Sequence, residues 1–165
     1  MITKYEKELN EREIIKRETK ASLLVGIACL VSTLIYALMA RYVKIEVDIG
    51  QNLRENIYGV LIFVIILIMI AILAARKTLY YSPKFIKEDF TLTQVLEKWR
   101  IIDIILMAVA ETIPILGLIV TFLGMPFERT WFIFLTSGLL MIILMPMGIK
   151  VRSKLEILRK QHPHI

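Results

Sequence analysis

The chain has 165 residues, of which 57% are hydrophobic, and its mean hydropathy is +0.67, more apolar than the roughly half expected of a soluble domain. Its 21 Lys and Arg outnumber 15 Asp and Glu for a formal charge of +6, a surplus that in a soluble protein would suggest nucleic acid but here is confined to particular loops, so no nucleic-acid partner is expected. The single cysteine, Cys29, excludes an intrachain disulfide and implies no oxidising compartment.

Residues 1–20 carry eleven charges of alternating sign, with Lys7 and Glu11, Glu8 and Arg12, and Glu13 and Arg17 at i,i+4 spacing. This predicts a solvated helix running into the first span, with Tyr5, Leu9 and Ile15 as a thin apolar stripe. The charge density and the length of the following apolar run do not fit a cleavable signal peptide, so the first span is expected to stay. Apolar runs at 21–40, 57–75, 101–123 and 131–149 each reach across a ~30 Å hydrocarbon core at about 1.5 Å per residue. The expected fold is all-α: a four-helix transmembrane bundle of antiparallel neighbours, one integral membrane domain.

Within the first span, Cys29 reads as a small packing residue, as do Gly26 and Ser32. The loop that follows is polar, with an extended piece expected at Val43 to Ile49. The second span has no strongly polar group after Tyr58 and is expected to face lipid. In the loop 76–100, Ser82-Pro83 breaks the helix, and Thr91 and Gln94 have the spacing of a capping box. Leu92, Val95, Leu96 and Trp99 then share one helix face, which predicts an interfacial helix leading into the third span. Trp99 and Trp131 lie at span edges, where aromatic belts form. Gly124 and Pro126 close the third helix, and the short GMPFER loop makes the third and fourth spans neighbours. The fourth helix is expected to continue into the tail 150–165, where His162 and His164 flank Pro163 without other candidate ligands; no metal or cofactor is expected.

Lys and Arg number six before the first span, three, six and one in the successive loops, and five in the tail. Segments on one side therefore hold 17 and those on the other 4, which by the positive-inside rule places both termini and the loop 76–100 in the cytoplasm of a multi-pass inner-membrane protein. The basic segments are suited to anionic headgroups, so the bilayer is the first partner expected.

The third span contains the one chemically distinctive feature. Glu111 lies ten residues into it, about 15 Å deep, where an exposed charge costs about 2.5 to 3.5 kcal/mol on insertion scales. It must face protein or water, and no Lys, Arg or His in the other spans can pair with it. A proton or a bound cation is then the natural counter-charge. Pro114 has no N–H for the carbonyl of Ala110, which sets an acceptor beside the carboxyl on a kinked helix. Thr112 adds a hydroxyl, which can also bond back to the carbonyl of Ala108. Ala108, Ala110 and Gly117 offer close approach to a neighbouring helix. The other reading makes Glu111 a neutral structural residue, bonded to Ser32, Thr33 or Tyr36 on the first span, or to Thr136 or Ser137 on the fourth. Asp103, at the edge of the same span, reads as a hydrated interfacial residue.

The stretch AETIPILGLIVTFLG, residues 110–124, resembles the carboxylate-bearing helix of the c subunit of rotary ATP synthases and ATPases, over about 15 of the 165 residues. The resemblance implies that Glu111 corresponds to the ion-carrying carboxylate and Pro114 and Gly117 to its neighbours in the motif. The Gly-x-Gly-x-Gly helix on which such rings pack has no counterpart in 22–42 or 57–75, and only the third span carries the motif. The chain also resembles small four-span bacterial membrane proteins with a similar third helix, which implies no particular activity.

Catalytic signatures are absent from the sequence: there is no His-Glu-x-x-His, no phosphate-cradling glycine loop and no Gly-x-Ser-x-Gly, and Thr136-Ser137-Gly138 reads as small-residue packing. Two functional classes remain: a membrane subunit whose Glu111 binds a proton or cation, or a non-catalytic accessory or scaffold subunit. Four helices are few for a lone carrier, which favours a homo-oligomer or association with other membrane subunits.

Overall fold

The computed structural model describes residues 4–43, 50–81, 91–146, 151 and 155–156, and these form helices and their connecting turns, with no strand among them. Helix α1 runs over Lys4–Tyr42, α2 over Gln51–Tyr81, α3 over Leu92–Ala110, α4 over Thr112–Phe122 and α5 over Phe127–Leu144. Four stretches are long and apolar enough to cross a bilayer: Arg12–Tyr42, Gln51–Tyr80, Leu92–Phe122, which joins α3 and α4, and Phe127–Leu144. Large apolar side chains such as Leu24, Leu34, Val60, Phe63, Ile70 and Leu139 point outward. In water they would form an aggregation surface, whereas acyl chains are the solvent such faces require. Of the expected extended piece at Val43 to Ile49 only Val43 is described, and its N–H donates to the Met39 carbonyl at 2.8 Å as in a helix; the rest of that piece, the Ser82-Pro83 break and the two tail histidines lie outside the described residues.

The charged N-terminal segment and the first span are one uninterrupted helix. Ile15 is part of the core rather than a solvated stripe, because Ile15, Glu18, Ser22 and Thr33 fall on the buried face of α1. Arg17 pairs with Glu18 at 3.1 Å, not with Glu13, and Glu18 also accepts from Arg100 of α3 at 2.9 Å. The capping box forms as expected: Thr91 N–H donates to Gln94 Oε1 at 2.9 Å and Gln94 N–H to Thr91 Oγ1 at 3.4 Å.

Two helices differ from expectation at their ends. The face of Val95, Leu96 and Trp99 lies inside the protein, at 0%, 3% and 3% exposure, instead of on the headgroup layer. Trp99 packs on Tyr80 with ring centroids 5.2 Å apart, so only Trp131 keeps an outward position suited to a belt. At the other helix end, α5 starts four residues earlier than the expected 131 and stops at Leu144 rather than running to 149. Pro146 is the cause, since it forces Met145 into extended geometry (ψ 128°) and cannot donate an N–H. Arg76 of α2 compensates by donating to the stranded carbonyls of Ile143 at 2.6 Å and Leu144 at 3.3 Å.

The α4–α5 turn follows from one glycine. Gly124 adopts φ +90°, and the N–H groups of Gly124 and Met125 donate to the carbonyls of Thr121 and Val120 at 3.0 and 3.3 Å, a Schellman closure that only a residue without Cβ enters freely. Helix α1 packs on α3, α4 and α5, whereas α2 lies against α3 and α4 and contributes few buried side chains, mainly Ile65, Ile72 and Tyr80. It is the peripheral helix, in agreement with the apolar run over 57–75.

Gly117 and Gly26 let helices approach closely. A Cβ on Gly117 would stand 3.0 Å from Ile133 Cγ2 and 3.2 Å from Phe134 Cζ, and one on Gly26 would meet Met145 Cγ at 2.9 Å and Met107 Sδ at 3.1 Å. Two other expected packing positions are not used this way: Ala108 is exposed, and nothing lies within 4 Å of a Cβ on Gly138. Ala108 points outward because the buried face of α3 passes through Leu106, Met107 and Ala110. Gly117→Leu is therefore expected to lower stability by about 1–3 kcal/mol through overpacking, while Gly138→Ala is neutral or gains up to about 1 kcal/mol from helix propensity. Thermal unfolding in detergent, followed by reaction of a fluorogenic dye with the lone Cys29 thiol, measures both.

Candidate functional site

Glu111 occupies the break between α3 and α4. Its backbone is still near helical (φ −63°, ψ −20°) and its N–H donates to the Met107 carbonyl at 3.0 Å. The helix is interrupted rather than ended. Pro114 accounts for this, because its ring cannot supply the N–H that the Ala110 carbonyl would receive in a continuous helix. Pro114 itself is buried, and Ala110 is fully so.

The side chain of Glu111 turns toward α1. Ser32 Oγ and Glu111 Oε1 are hydrogen-bonded, and Ser32 Oγ also reaches the Cys29 carbonyl at 3.1 Å. The Cys29 thiol stands beside the same carboxyl. The second carboxyl oxygen, Oε2, is buried and has no hydrogen-bond partner. Of the five hydroxyl residues that could have bonded Glu111, the structure selects Ser32. Thr33 donates instead to the Cys29 carbonyl at 2.9 Å, and Thr136 to the carbonyls of Phe132 and Ile133 at 2.8 and 3.0 Å.

Not every residue assigned to the site reaches it. Thr112 is exposed and donates to the Val109 carbonyl at 2.8 Å, one residue beyond the Ala108 carbonyl expected from sequence. Its position next to Glu111 in sequence puts it about 100° around the helix, facing away. Ser137 is fully buried with an unpartnered Oγ. Gly138 lies in an open groove between α1 and α5, lined also by Leu30, Thr33, Leu34 and Trp131, of about 520 Å³.

A second buried acid was not anticipated. Asp103 is only 2% exposed, and Tyr80 of α2 donates its hydroxyl to Asp103 Oδ1. The guanidinium of Arg76 lies 5.7 Å from the Tyr80 ring centroid. The expectation of a hydrated interfacial residue fails because Asp103 continues the stripe of Val95, Leu96 and Trp99 one turn on, and that stripe is buried. The i,i+4 step from Trp99 was the available signal. Among the described residues no group of His, Cys, Asp and Glu could hold a metal ion.

No protein family, curated protein or solved structure matches this chain. The site therefore rests on its own geometry.

The Ser32 hydroxyl joins α1 to the carboxyl by a side-chain hydrogen bond. Ser32→Ala is expected to cost about 1–3 kcal/mol, the usual consequence of stripping a partner from a buried polar group. The Cys29 thermal assay reads the loss, and a variant melting like the parent would show that the bond contributes nothing.

Proposed function

We propose that this protein is a small multi-pass membrane subunit in which Glu111 binds a proton or a cation near the bilayer midplane. The observation that carries the reading is the state of the carboxyl: one oxygen on Ser32, the other buried and unpartnered, and no ion pair to it among the described residues. Glu111 precedes the end of α4 at Phe122 by eleven residues, about 16 Å of helix and thus about half a hydrocarbon core.

Ser32 has one hydroxyl proton but two neighbouring acceptors, the Cys29 carbonyl and Glu111. If the carboxyl carries a proton it donates to Ser32 Oγ and Ser32 donates onward to the Cys29 carbonyl, which leaves only Oε2 of this group without a partner. If it ionises, Ser32 must abandon the carbonyl and a bare oxyanion remains at Oε2, which in low dielectric demands a counter-cation. The site can hold a proton or exchange it for a cation. The c-subunit resemblance of residues 110–124 points the same way.

Thr121 and Thr130 share a hydrogen bond of 3.0 Å, while Gly117 faces Ile133 and Phe134; these pairings advance in opposite directions along α4 and α5 and support antiparallel packing. With 17 basic residues assigned to one side and 4 to the other, both termini are cytoplasmic and the membrane is the inner one. Four spans are few for alternating access by a single copy, so the subunit works as a homo-oligomer or with other membrane subunits.

The Ser32 bond also favours a second reading, in which a neutral Glu111 fastens α1 to the α3–α4 break of an accessory or scaffold subunit. Glu111→Gln separates the two, since the amide keeps the shape and can bond Ser32 but cannot ionise. In vesicles containing the purified protein, proton- or sodium-driven flux is expected in the parent and to vanish in the variant. Flux that survives the substitution leaves the scaffold reading in place.

A further inference from the structure

Among the described residues, two buried side-chain oxygens in the span interior have no hydrogen-bond partner: Glu111 Oε2 and Ser137 Oγ. Ser137 is 0% exposed. Burying a hydroxyl with no partner costs about 1–3 kcal/mol in proteins, so two such groups need a physical explanation.

Their relative placement follows from the α4–α5 contacts. Thr121 meets Thr130, and Gly117 meets Phe134. Four residues back along α4 and forward along α5 bring Ile113 and Pro114 level with Ser137 and Gly138, at the helix break. Ser137 is therefore level with the proline whose missing N–H leaves the Ala110 carbonyl without its helical donor, one turn from Glu111. Helix α1, which brings Ser32 and Cys29 to the carboxyl, also packs against α5. By this register the carboxyl, the hydroxyl of Ser137 and the Ala110 carbonyl lie within about one helical turn of one another along the bundle.

We propose that a single buried water molecule occupies this region, accepting from Ser137 and donating to the Ala110 carbonyl and the free carboxyl oxygen, which makes Ser137 the second ligand of the Glu111 site. Buried waters have two to four polar partners of this kind and persist because removing them strands those partners. An apolar filling could not serve the groups involved, and a direct Ser137 to Glu111 bond is not made. The inference deepens the proton- or cation-binding reading by adding a residue that positions the carboxyl from the opposite helix.

Infrared difference spectroscopy of the full chain in lipid nanodiscs tests it. The Glu111 carboxyl band is assigned by its loss in Glu111→Gln. In Ser137→Ala that band is expected to move to higher frequency, as a carbonyl does on losing a donor, and Ser137→Thr is expected to restore it. A weakly bonded O–H stretch that shifts in oxygen-18 water should be present in the parent and absent in Ser137→Ala. Thr136→Ala, whose hydroxyl is engaged with its own helix backbone, serves as the folded control and should move neither band. A carboxyl band unmoved by Ser137→Ala, or no oxygen-18-sensitive stretch in the parent, overturns the proposal. The outcome is separable from the flux test: a Ser137-dependent band alongside flux that survives Glu111→Gln would keep the water and discard the transport role. Flux abolished by Glu111→Gln with an unmoved band would do the reverse.

Discussion

A carboxyl group on a helix that lipid surrounds must find its partners inside the protein, and that requirement shapes the centre of this bundle. The backbone cannot meet it at Glu111, where Pro114 has already withdrawn one donor, so a neighbouring helix has to. Helix α1 does so with Ser32, and the approach that this bond needs is provided by small side chains: Ala110 is fully buried on one side and Gly26 brings α1 close to Met107 and Met145 on the next turns. The polar contact and the close packing are one arrangement. A larger residue at either position would hold the helices apart and leave the carboxyl without its hydroxyl.

Most of the architecture was legible from the periodicity of apolar residues alone. Four stretches long enough to span, the capping box at Thr91 and Gln94, the closure at Gly124 and the outward character of the second helix all rest on local rules that lipid enforces more strictly than water does. Misreadings arose where a tertiary neighbour overrode the local pattern. Val95, Leu96 and Trp99 have the face of a helix lying on a membrane, yet the protein supplies its own cover in Ile15 and Tyr80. Pro146 was legible but was passed over within an apolar run, and the helix end it causes is repaired from α2 by Arg76. No feature of either segment taken alone contains that pairing.

The site shows the same division. That Glu111 would turn inward follows from the cost of exposing it, and Pro114 next to it is enough to expect a break. Which hydroxyl it would meet is a matter of helix rotation and register, and five candidates could not be ranked without coordinates. Thr112, adjacent in sequence, faces out; Ser32, 79 positions away, is the partner. Asp103 was the harder case, because an acid near a span edge is ordinarily hydrated and only the fate of the Trp99 stripe decides otherwise.

The two acids that this broken helix turns inward, Asp103 and Glu111, differ in their surroundings. They lie eight residues apart, about 12 Å along the axis, with the fully buried Met107 between them. Asp103 sits in a layer furnished with polar groups: the Tyr80 hydroxyl bonds it, Arg76 lies over the Tyr80 ring, and Arg100 and Glu18 pair nearby in sequence and on the facing helix. Such a layer fixes a charge state by surrounding it with counterparts, and changing that state would disturb several interactions at once. Glu111 has a serine, a thiol and apolar carbon. With so few partners, the carboxyl is tied to the neighbouring helix through a single side-chain hydrogen bond among the described residues. Of the two carboxyls, Glu111 is the one with the fewer polar neighbours among the described residues.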